Sequence, residues 1–187
     1  MRRAALLLAS LALIAGCGNE PVTTEASVAL RADAARLGKG AAGVGDQLAA
    51  LRQVTAKYHD FQAAKDAGWD AKITSCMTSA AGGMGFHYGN MRYITDGVAR
   101  ADQPELLLFE PRSNGGMKLV AVEYIVPYEL HARDAAPPML FDQPFKQVDA
   151  FGVWGLHVWV WQGNPSGTFA DWNPNVNCDN TTDVMAM

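Results

Sequence analysis
The feature that most constrains this chain is the segment Met117-Lys-Leu-Val-Ala-Val-Glu-Tyr-Ile-Val126. Successive side chains of a β-strand point to opposite faces. One face would carry Leu119, Ala121, Glu123 and Ile125, the other Val120, Val122, Tyr124 and Val126. Both faces are apolar, so the strand has to be covered on two sides. Glu123 then lies among buried residues, where an isolated carboxylate is too costly to leave. The fold must supply it with a partner.

The flanking residues place this strand in a hairpin. Glu105-Leu-Leu-Leu-Phe-Glu110 is a second apolar run, and Ser113-Asn114-Gly115-Gly116 lies between the two. Asn-Gly is a strong hairpin signal because both residues tolerate positive φ. A third strand is expected at Leu156-His-Val-Trp-Val-Trp161, with His157, Trp159 and Trp161 facing away from Leu156, Val158 and Val160. Phe86 to Ile94 is a weaker candidate. Upstream, Leu48, Leu51, Val54, Tyr58, Phe61 and Ala64 recur every three or four residues, predicting one amphipathic helix from an N-cap at Asp46 to a stop at Gly68. Proline-rich segments 127–144 and 164–174 read as long ordered loops. One early helix followed by strands predicts an α+β fold: an N-terminal amphipathic helix packed on a mainly antiparallel sheet, or on a small β-barrel or sandwich.

The start of the chain reads as targeting. Arg2 and Arg3 precede an apolar run from Ala4 to Ile14, too short to span a bilayer permanently. It ends in Ile14-Ala15-Gly16-Cys17, which resembles the lipobox of bacterial lipoproteins. That pattern implies a signal peptide over 1–16, acylation of Cys17 with a palmitate-type membrane anchor, and a cell-envelope location. Asn19 rather than Asp after the modified cysteine points to the outer membrane, facing the periplasm, in a Gram-negative host. Residues 17–45 read as a lipidated flexible tether with a short helix near Val28 to Leu37, residues 46–180 as a single globular domain, and residues 181–187 as a disordered tail. Loss of Arg2 and Arg3 would move the net charge from −4 to about −6, which argues against a nucleic-acid partner. With Cys17 acylated, Cys76 and Cys178 remain in an oxidising compartment and are expected to pair. The alternative is a pair of metal-binding thiolates.

Several residue types could carry chemistry. His87 sits in Gly83-Met-Gly-Phe-His-Tyr88 and His157 in the third strand. Two histidines and Glu123, each from a different segment, could form an open-sided triad for ferrous iron or manganese, or a zinc site. Alternatively, Glu123 hydrogen-bonds a buried Tyr, Trp or His and fixes the core without metal. Met77, Met84 and Met91 near His87 suggest a copper variant, although methionine also fills cores. Trp159, Trp161 and Trp172, with Trp154, could stack on a small ligand or serve as core and lid. The tail Asp171-Trp-Asn173-Pro-Asn175-Val-Asn177-Cys-Asp179 alternates oxygen-bearing side chains, but Val176 and Thr182 stand where a calcium loop needs glycine and glutamate. Local Asx turns explain it better.

Taken together, Thr55-Ala-Lys-Tyr-His-Asp60 with Gly68-Trp69, Gly83–Tyr88, Glu105–Pro111, Leu119–Pro127, Leu156–Trp161 and Phe169-Ala-Asp-Trp-Asn-Pro-Asn-Val-Asn-Cys178 resemble an uncharacterised family of exported bacterial proteins. That resemblance implies one export-adapted domain and transfers no catalytic role. Three functions stay open: non-enzymatic binding of a small ligand or metal ion by an envelope lipoprotein, a metal-dependent oxygenase or hydrolase using His87, Glu123 and His157, and a structural envelope protein.

Overall fold
The computed structural model describes residues 43–187. The signal segment 1–16, Cys17, the helix expected near Val28 to Leu37 and nearly all of the tether lie outside the described residues. The apolar stripe from Leu48 to Ala64 forms three pieces rather than one helix: α1 (Val44–Thr55), a 3-10 turn (Ala56–His59) and α2 (Phe61–Asp66). Asp60 makes the break. Its backbone is extended (φ −80°, ψ 108°), and its carboxylate accepts from the Gln62 and Ala63 N–H groups, so it caps a new helix instead of lining the polar face of an old one. Leu51, Tyr58 and Ala64 still share one core, while Val54 faces out. Gly68 stops α2 as expected, with φ +105°: its N–H bonds Lys65 and the Trp69 N–H bonds Ala64, the pairing of a Schellman cap. No helix among the described residues is long and apolar enough to cross a membrane.

The rest is mostly β, a sheet curled into a half-barrel with only short helices beside it. In chain order come β1 (Ala71–Lys72), β2 (Cys76–Ser79), β3 (Gly82–Gly89), α3 (Met91–Ile94), β4 (Leu106–Pro111), β5 (Met117–Pro127), β6 (Met139–Leu140), β7 (Gln143–Pro144), β8 (Lys146–Val148), β9 (Val153–Val158) and β10 (Val184–Ala186). The main sheet runs β10-β2-β3-β4-β5-β9-β8, with β1 also on β3; β10 is parallel to β2 and every other pairing is antiparallel. The weak candidate at Phe86 to Ile94 is therefore a strand that ends at Gly89 and gives way to α3. The β4–β5 hairpin closes through Ser113, Asn114 and Gly115, with the Gly115 N–H on the Arg112 carbonyl and the Arg112 N–H on the Gly116 carbonyl. Only Gly115 has positive φ, so a three-residue loop ending in a glycine bulge replaces the two-residue turn.

Two bulges re-aim the strands. Leu108 pairs with Ala121 but Phe109 with Leu119, which leaves Val120 as an extra residue on β5. Strict alternation would group Leu119 with Ala121, Glu123 and Ile125. The bulge instead turns Leu119 to the face of Val122, Tyr124 and Val126, where the helices and Trp154 pack, and puts Val120 with Ala121 and Ile125. A second shift, where Met77 pairs with Gly85 and Thr78 with Gly83, leaves Met84 as the extra residue on β3 and packs it with Met77, Leu106 and Ile125. At this bulge Gly85 has φ +86°, and a Cβ there would lie 2.5 Å from the Phe109 carbonyl oxygen.

Cys76 and Cys178 form a disulfide spanning 102 residues, which ties the tail to the start of β2. Residues 181–187, expected to be a disordered tail, include β10: Val184 pairs with Cys76 and Ala186 with Thr78. Strand pairing beside the disulfide orders them, helped by the exposed Lys72–Asp183 bridge. Within 127–144, β6 and β7 form a tight turn with positive φ at Phe141 and Asp142, held by the fully buried Phe141 ring against Tyr124 and Phe169.

Candidate metal centre
Glu123 and His157 are directly opposed across β5 and β9. His87 lies on β3, two strands from Glu123 on the other side of β4. Each of the three is at most 6 % exposed. His87 Nε2 lies 3.4 Å and His157 Nε2 3.7 Å from the same oxygen, Glu123 Oε2, and the two imidazoles meet edge to face with centroids 5.9 Å apart. One ligand atom from each residue falls within 4.8 Å of the other two. The three segments singled out in the sequence thus converge.

The distances discriminate between the two roles proposed for Glu123. Both exceed the usual 2.7–3.2 Å of a hydrogen bond, and His157 Nε2 is buried without any partner. Two donors bound at about 2.1 Å to one tetrahedral ion sit about 3.4 Å apart. The His87–Glu123 edge has that length already and the His157–Glu123 edge nearly so, while the two imidazoles offer nitrogens within 4.8 Å of one another. A hydrogen-bonded anchor would be tighter than this.

Electrostatics agree. Burial pushes Glu123 from its ordinary 4.5 up to about 8, and the Asp171 charge adds to the rise. Burial holds His87 down at about 3, helped by His157 and partly offset by the backbone of Gly85. Burial and the Lys146 charge hold His157 at about 3. Without a metal, burial favours the neutral form of all three groups. Neutral imidazole is the ligand form, and a divalent ion would replace the carboxyl proton.

The next layer orients the ligands. Thr74 Oγ1 lies 2.9 Å from His87 Nδ1, which leaves Nε2 for the centre. Asp171 Oδ1 approaches His157 Nδ1 at 4.0 Å and is held by Lys146 at 2.8 Å. Trp159 stacks along His157, rings inclined by 11°, with its indole N–H on the Ala170 carbonyl. The triad opens into a cavity of about 350 Å³ whose walls are mainly apolar and include Met77, Met84, Leu106, Ile125 and Trp172.

Not every candidate reaches the site. Met77 and Met84 line the cavity, but Met91 is 48 % exposed on α3 and is not part of its lining, so the three-methionine copper set does not assemble. Trp161 does not share a face with His157 and Trp159. The strand ends at Val158, the Trp161 N–H bonds the Val120 carbonyl, and its indole N–H reaches Thr55 Oγ1 on the helical side. Trp154 also lies in that helical core. Of the stacking candidates, Trp172 lines the cavity, while Trp159 is only 4 % exposed and braces His157. In the tail, Asn173 and Asn177 make Asx turns to the Asn175 and Asp179 N–H groups, as local turn chemistry predicts. Thr74 and Lys146 carry no motif, and Asp171 stands out in the sequence only as the first of the tail's oxygen-bearing side chains; a polar residue near a buried histidine is visible only in space. Glu105, wholly buried, has no sequence signal either; it accepts from the Ile125 N–H through one oxygen, and burial raises it to about 8.

No family model, curated protein or solved structure matches the chain.

Proposed function
We propose that this chain is a lipid-anchored envelope protein, of the exported family its motifs resemble, that binds one divalent transition-metal ion through His87, Glu123 and His157. The observation that carries this reading is the convergence of three buried donors at coligand rather than hydrogen-bond spacing, with His157 Nε2 left unpartnered. Two imidazoles and a carboxylate suit iron(II), manganese(II) or zinc better than copper(I). Three protein ligands leave at least one coordination position for a small molecule. Acylation at Cys17 would hold the centre in the envelope.

The cavity favours a second reading built on the first, in which the open position serves a metal-dependent reaction on a molecule held there. Elemental analysis tests the shared premise. Protein exported to a periplasm and purified without chelator or His-tag is expected to hold near-stoichiometric iron, manganese or zinc. A His87→Ala, His157→Ala double variant is expected to hold none. Metal-free wild-type protein that cannot be reloaded would refute the reading.

A further inference from the structure
We infer that the ligand of this centre is an apolar monoanion: a single carboxylate head on a hydrocarbon body, the head on the metal and the body in the cavity. The inference rests on His87, Glu123 and His157 being a metal centre. Its first support is a charge count. A divalent ion with one carboxylate and two neutral imidazoles leaves a net charge of about +1 among side chains at most 8 % exposed, and buried net charge is strongly disfavoured. The cavity lining offers one further side-chain carboxylate, Asp171, already paired with Lys146 at 2.8 Å. The chain therefore does not neutralise the centre. A monoanion does so, whereas a dianion overshoots and a neutral ligand leaves the charge in place.

The second support is the wall. Met84, Leu106 and Ile125 line the cavity beside the triad, and Ile73, Phe151 and Met187 line it while remaining 41, 42 and 60 % exposed. An apolar opening leading to apolar walls suits hydrocarbon and leaves a small hydrated anion poorly covered. A bound hydroxide would balance the charge but leave those walls unfilled. The volume of about 350 Å³ lies at the small end of small-molecule sites, which fits a medium-length chain.

The test is calorimetric titration of the full chain in non-ionic detergent, loaded with zinc, against detergent blanks. The probes are octanoate, its neutral analogue octanol and its short analogue butanoate. Zinc content is measured on the same samples. Octanoate should bind zinc-loaded protein at least tenfold tighter than zinc-free protein, and octanol at least tenfold more weakly than octanoate. Each methylene removed should weaken binding roughly fourfold. A Val153→Phe variant, altered on the cavity wall four residues along β9 from His157, should keep zinc and bind octanoate at least tenfold more weakly. Zinc-loaded protein that binds octanol or butanoate as tightly as octanoate, or octanoate equally with and without zinc, overturns the ligand assignment and leaves the metal centre standing. Protein that takes up no zinc overturns both.

Discussion

Replacing Glu123 by glutamine separates the metal site from a structural anchor, because the two roles predict opposite changes in stability. In metal-free protein burial raises this carboxyl from 4.5 to about 8. A raised carboxyl keeps in the native state a proton that the unfolded chain releases above pH 4.5. Its contribution is therefore intact below pH 4.5, shrinks as pH rises and levels off above about 8. At pH 7 the loss covers the interval from 4.5 to 7, about 3 kcal/mol at 1.36 kcal/mol per pH unit. Glutamine has the same shape and no proton to lose. With chelator present, Glu123→Gln should be more stable than wild type by up to about 3 kcal/mol at pH 7, a melting shift of roughly 6–12 °C. The gain should vanish near pH 4.5. With zinc the order should reverse, since the variant lacks the charged ligand and should bind zinc at least tenfold more weakly. Urea and thermal unfolding at pH 4.5, 7 and 8, with chelator and with zinc, measure both effects. A variant destabilised equally at all three pH values, with zinc affinity unchanged, would show that Glu123 anchors the core and is not a metal ligand.

Other perturbations follow from the same contacts. Because a bound ion expels the Glu123 proton while both histidines are already neutral, zinc affinity should tighten about tenfold per pH unit from 6 to 8 and level off above 8; a flat profile by competition titration contradicts this. Thr74→Val removes the contact to His87 Nδ1 and should weaken zinc binding about 10–100-fold with an unchanged near-ultraviolet spectrum, whereas equal affinity would deny Thr74 an orienting role. Cys76→Ser with Cys178→Ser opens a loop of 102 residues and should remove about 4–5 kcal/mol, read by denaturant unfolding; a loss under about 1 kcal/mol would refute the loop-entropy account. Gly85→Ala places a Cβ against the Phe109 carbonyl at φ +86° and should cost about 2 kcal/mol or more, and an unchanged melting temperature would show that the bulge relaxes freely.

Features under local chemical control are legible in the residues alone. Apolar runs around Asn114-Gly115 specify the β4–β5 hairpin, and Gly68 specifies where the helical segment stops. Only two cysteines lie within the described residues, and they pair. A lone carboxylate in a doubly apolar strand marks Glu123 as a residue in need of a partner, and His87 and His157 stand out as imidazoles in strand-like segments. Tertiary structure decided the rest, because the deciding contacts join residues far apart in the chain. The extra residues Val120 and Met84 are defined only by the strands they fail to pair with, so the alternation rule misplaces Leu119 and gives no reason for Met84 to face the cavity. Trp161 turns to the helical side because its backbone bonds Val120 on another strand. Asp60 breaks a continuous apolar stripe by capping, which a period of three and four does not register. The site itself is of the same kind. Its three donors meet because β9 pairs Glu123 with His157 while the sheet brings β3 round to them, and Thr74 and Asp171 gain their roles only once that has happened. Residue type could nominate the ligands; only the register and curl of the sheet could bring them to one point.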